Sequence, residues 1–139
     1  MKHPQLVIHE PDGRLAAELR ELANKKHRWA LREPRQREGC LRLLQTPGPA
    51  VLIIKITREG EPELSLLDQV SWQSPDTPIV AVCESENPIL ADLIWDCGAS
   101  YVFFSPYQRE RLVDLVESLM LSFPKRPLPL LSTAEEEEP

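Results

Sequence analysis

Residues 78–106, PIVAVCESENPILADLIWDCGASYVFFSP, fall into three unlike pieces. Pro78 to Cys83 is almost unbroken apolar sequence, which suits a strand covered on both faces. Asn87-Pro88 then opens a helix, with Leu90, Leu93, Ile94 and Cys97 at helical spacing and Gly98 at its C-terminal cap. Tyr101 to Phe104 returns to strand character and ends at Ser105-Pro106. Two strands joined through one helix are parallel, and such a crossover is right-handed.

The same unit recurs toward the N-terminus. Ala50-Val51-Leu52-Ile53-Ile54 is the strongest strand in the chain, apolar at both alternating sets of positions. A polar loop from Arg58 to Glu61 leads to Pro62, placed for the first turn of a helix that Leu64, Leu67, Val70 and Trp72 continue. Leu6-Val7-Ile8 forms a first short strand. Asp12, in Pro11-Asp12-Gly13, is the expected N-cap of a helix carrying Leu15, Leu19, Leu22 and Ala23 through about His27. Trp29-Ala30-Leu31 is a weaker strand stopped by Pro34, and Cys40, Leu41, Leu43 and Leu44 give the next helix its apolar face. Leu112, Val113, Val116, Leu119 and Met120 mark the last helix. Five strands alternating with five helices predict an α/β domain over residues 1–123: a flavodoxin-like, doubly wound five-stranded parallel sheet with helices on both faces. In that architecture the site lies at the carboxyl ends of the strands. Residues 124–139, rich in proline and ending in four glutamates before the last proline, are expected to be a disordered tail.

At 139 residues and a net charge of −6, the chain is one domain with an acidic balance. That balance argues against nucleic acid as a partner, since a phosphate backbone is met with clustered Lys and Arg. Arg32, Arg35, Arg37 and Arg42 form a basic run, but Glu33 and Glu38 interleave, which favours a solvated, self-paired surface. No apolar run is long enough to span a bilayer, so no membrane role is expected. The N-terminus does not read as a signal peptide. Cys40, Cys83 and Cys97 lack metal-ligand spacing and read as reduced thiols of a cytoplasmic protein. No cofactor and no metal are expected.

With these elements in order, the chain resembles the receiver domain of bacterial response regulators over about residues 5–121. The resemblance is densest in PIVAVCES and ADLIWDCGASYVFFSP, with PAVLIIKI similar to the third strand and LVIHEPDG to the first. The family implies a set of groups for phosphoryl transfer: an acid pair after the first strand that binds Mg²⁺, an acceptor Asp ending the third, a hydroxyl after the fourth, and a Lys after the fifth. Acceptor, metal and Lys together neutralise the charge of the moving phosphoryl group. In this chain those positions fall on His9 and Glu10, on Lys55, on Cys83 and on Ser105. An amine at Lys55 cannot form an acyl phosphate, and its charge repels Mg²⁺. The resemblance therefore implies a degenerate pseudo-receiver with a vestigial pocket, not an enzyme. It also implies a cis peptide before Pro106, where receivers have a proline after the fifth strand.

Several expectations follow for single residues. Neighbouring strand ends bring Lys55 and Glu10 within reach, so an ion pair between them is expected. His9 is a rim histidine, Cys83 a structural thiol, and Cys40 and Cys97 fill helix faces. The family's docking face, made by the fourth helix, fifth strand and fifth helix, would include Trp95, Tyr101, Tyr107, Arg109 and Arg111. This predicts a protein partner, or a second copy of the chain, on that face. Val102 stands at the family's switch-aromatic position. A small-ligand or cofactor protein on the same fold is the alternative, but the strand-to-helix turns lack a glycine-rich phosphate cradle. A thiol redox sensor using Cys83 or Cys97 is the other.

Overall fold

The structure is a computed structural model, and it describes residues 4–21, 23, 29–46, 48–57, 60–84, 88–104 and 109–123. Strands β1 (Gln5–His9), β2 (Ala30–Arg32), β3 (Ala50–Ile56), β4 (Ile79–Cys83) and β5 (Tyr101–Phe104) alternate with helices α1 (Arg14–Glu21), α2 (Arg37–Gln45), α3 (Glu61–Gln73), α4 (Pro88–Asp96) and α5 (Arg109–Leu121). All strand pairs are parallel, in the order β2-β1-β3-β4-β5. The order reverses at β1, so a crevice opens between the carboxyl ends of β1 and β3.

The apolar pattern of β3 explains its place. Alternate residues feed two cores: Val51 and Ile53 pack with Leu15, Leu19, Leu112 and Val116 of α1 and α5. Leu52, Ile54 and Ile56 pack with Cys40, Leu66, Leu67, Val70 and Ile94 of α2, α3 and α4. A strand buried on both faces has no polar face to spare, and β4 is built the same way. β5, at the sheet edge, is only partly covered.

Gly98 closes α4 at φ +113°, and a Cβ there would stand 2.5 Å from Cβ of Ser71. Both the backbone angle and the close approach of α3 require glycine. Trp72 departs from the sequence reading. It was expected on the buried stripe of α3, but it is 81% exposed. Leu66, Leu67 and Val70 complete the buried face, and Trp72 lies two residues beyond Val70, on another side of the helix. Helix α1 was expected through about His27. Its described part ends at Glu21, with Ala23 buried beyond it, and most of the remainder lies outside the described residues, as does the tail from 124. No helix among the described residues is long and apolar enough to cross a membrane.

Candidate functional site

The parallel register sets the site. His9 pairs with Ile54 and Ile56 with Cys83, so the carboxyl ends of β1, β3 and β4 lie side by side. His9, Glu10, Lys55 and Cys83 are thereby gathered at one end of the sheet, as the sequence implied. Ser105 and Pro106, with the peptide between them, lie outside the described residues.

Glu10 is the one buried charged residue described, at 6% exposure. Its two carboxylate oxygens accept the N–H groups of Leu15 and Ala16, each at 2.9 Å. These are first-turn N–H groups with no partner inside the helix, and a carboxylate is favoured at that positive end. Glu10 is therefore the cap of α1. Asp12, expected in that role, accepts from α1 one backbone N–H, that of Arg14, at 3.2 Å.

The expected Lys55–Glu10 pair is replaced by another. Lys55, second to last in β3 and with its side chain 14% exposed, places Nζ 3.0 Å from Oδ2 of Asp12. Both Glu10 oxygens already accept an N–H of α1, whereas Asp12 sits on the same loop with one oxygen free of the helix. Burial acts to raise the Asp12 pKa and is the largest single influence. The Lys55 hydrogen bond, the Arg14 N–H, the Lys55 charge and the Glu10 side chain together outweigh it, and the carboxyl is held below its usual 3.8.

The surrounding loops are tied in turn. Nδ1 of His9 lies 3.0 Å from the Pro34 carbonyl, which can only accept, so Nδ1 carries the proton in this bond. Arg35 Nη1 donates to the Pro11 carbonyl at 3.2 Å, and Arg20 pairs with Glu33. Arg37 bonds Ser65 and Gln69 of α3. Three members of the basic run and its surroundings thus hold the protein's own groups. After β3, Glu63 accepts from both the backbone N–H and the hydroxyl of Thr57, at 3.1 and 2.8 Å. Cys83 is buried, and burial pushes its thiol up to about 11, as it does for Cys40. A thiol in that state is a poor nucleophile at neutral pH.

The fold has known relatives in structure. A response regulator from Thermotoga maritima superposes with a TM-score of 0.67 at 17% identity, over 88% of this chain and 100% of that one. The receiver domain of NtrX from Brucella abortus gives 0.67 at 21%, over 86% and 99%. A CheY-like receiver domain protein from Methanospirillum hungatei gives 0.70 at 10%, over 86% and 94%. The chain has the receiver fold. Against a longer NtrX structure it covers 27% of that chain, the part that corresponds to one domain. By sequence, no family model and no curated protein matches.

Receivers hold Mg²⁺ at this end of the sheet, and the donors among the described residues do not fit that ion. Both Glu10 oxygens accept N–H groups of α1, and the ammonium of Lys55 lies on Asp12. A hard divalent cation needs several free oxygens in near-octahedral array. Among the described residues no three His, Cys, Asp or Glu side chains form such a group. The pairing of Lys55 with Asp12, 43 residues apart, was missed in the sequence because Glu10 on the same loop was equally within reach and its capping of α1 leaves no periodic signal. Its one signal was that Asp12 follows Glu10 on the same loop, two residues later.

Proposed function

We propose that this chain is a pseudo-receiver: a non-catalytic module of bacterial signal transduction that is not phosphorylated and acts by binding a protein partner in the cytoplasm. The observation that carries the reading is the Lys55–Asp12 ion pair at the end of β3. It puts a fixed cation where a receiver needs an acceptor carboxylate and a metal. Cys83 in place of a hydroxyl and Ser105 in place of a Lys remove two further groups that phosphoryl transfer uses.

The docking face is the one formed by α4, β5 and α5. Trp95, half exposed at 49%, and Tyr101, also exposed, support this assignment, because aromatic side chains left in solvent are the usual anchors of an interface. Arg111 is exposed on the same helix that closes the face. Tyr107 and Arg109 are assigned to it from the sequence, and Tyr107 lies outside the described residues. The raised thiol pKa of Cys83 counts against redox sensing at that residue.

Incubation with acetyl phosphate and Mg²⁺, followed by intact mass, tests the reading. No mass gain is expected, and Lys55→Asp alone gains none either, since the hydroxyl and the Lys stay absent. A hydroxylamine-labile gain of one phosphoryl group on the unaltered chain overturns it.

A further inference from the structure

The sheet sorts charge from edge to edge. Residues 1–58 hold twelve Lys and Arg against six Asp and Glu, whereas residues 59–108 hold nine Asp and Glu and no Lys or Arg. The second stretch builds α3, β4, α4 and β5, so the strand order gathers the anionic part on the β5 side. Large apolar side chains collect in solvent on the same part. Trp72, Ile89, Leu93, Trp95 and Tyr101 are exposed there, and Leu121 alone lies elsewhere among the described residues.

Helices α3 and α4 lie side by side in the same direction. A Cβ on Gly60, before α3, would stand 3.3 Å from Leu90 near the start of α4, and Gly98 after α4 abuts Ser71 near the end of α3. Leu93 and Trp95 flank the buried Ile94, so they lie on opposite sides of α4. Leu93, with Ile89 one turn before it and Asp96 three residues after, forms a stripe apart from the Trp95 face. On α3, Asp68 and Trp72 are one turn apart. Cys97 stands next to Gly98 at this joint, and its thiol is raised by burial and by the charges of Asp68 on α3 and Asp96 on α4.

We propose that this outer surface of α3 and α4 docks a basic amphipathic segment of a partner protein. Trp72, Ile89 and Leu93 take its apolar side chains, and Asp68, Asp92 and Asp96 pair with its Lys or Arg. Charge selects this occupant. Two copies meeting through the same surface would set Asp against Asp, and nucleic acid or anionic lipid carries the wrong sign. A second copy docked by its cationic part supplies charge but, among the described residues, no large exposed apolar side chain. A basic amphipathic segment supplies both.

The test uses the full chain and a synthetic peptide of leucine and lysine at helical spacing, with a glutamate-for-lysine peptide as control. The lysine peptide is expected to bind and to shift amides of α3 and α4, and the glutamate peptide to leave them unmoved. Trp72→Ala with Leu93→Ala should weaken binding about ten-fold or more, the size expected of interface anchors, with the melting temperature unchanged. Undiminished affinity in that double variant would overturn the proposal, because it would show attraction by charge alone. Shifts confined to β5 and α5 would overturn the location. Concentration-dependent self-association lost in the same variant would overturn the choice of occupant.

Discussion

Glu10 and Asp12 are two carboxylates two residues apart with different tasks. Glu10 is buried on two backbone N–H groups, and Asp12 faces solvent with Lys55. Removing Glu10 orphans two donors at a buried helix start, so Glu10→Ala should cost about 1–3 kcal/mol in urea unfolding. Lys55→Met removes one partly exposed ion pair and should change stability by less than about 1 kcal/mol. Equal costs for the two variants would mean that the roles are misassigned. Asp12 also fixes a pH dependence. Its native pKa lies below the usual 3.8, so its contribution is full above that value and is lost as pH falls through the lower, native one. The stability difference between the unaltered chain and Asp12→Asn should therefore be constant near neutrality and shrink below about pH 4. A difference that grows in acid would reverse the sign of the coupling.

At the scale of elements, the joint between α3 and α4 depends on Gly98. Gly98→Ala places a Cβ at positive φ and against Ser71, and should cost about 1–3 kcal/mol. Ser71→Gly in the same chain should recover the part due to the clash and leave the part due to φ. Trp72→Ala, in contrast, should stay within about 0.5 kcal/mol. Thermal melts of these variants separate a packed joint from a free surface. The elements themselves were legible because apolar runs and Gly or Pro punctuation are local: β3, β4, Pro62 and Gly98 all sit where the sequence placed them. Trp72 was misread because an apolar residue at the end of a helix carries no sign of which side it takes. The partners in the site were harder still. That His9, Glu10, Lys55 and Cys83 converge follows from the topology alone, but which carboxylate meets Lys55 depends on the helix cap that Glu10 makes first. Competition for a partner of that kind leaves no periodic trace in a sequence.

At the scale of the whole molecule, residues 1–123 are expected to fold by themselves, so deleting residues 124–139 should leave the melting temperature unchanged within error. A drop of several degrees would show that it packs on the domain. The central claim is the proposal that, at the sheet end, the Lys55–Asp12 pair stands in place of a metal and an acceptor. Amide spectra of the folded protein, recorded through a titration with Mg²⁺ and then with beryllofluoride as a phosphoryl mimic, test it most directly. The account predicts no saturable shift at His9, Glu10, Lys55 or Cys83. Saturable shifts at those residues that extend along β4 into β5 would contradict it, because they would describe a working receiver.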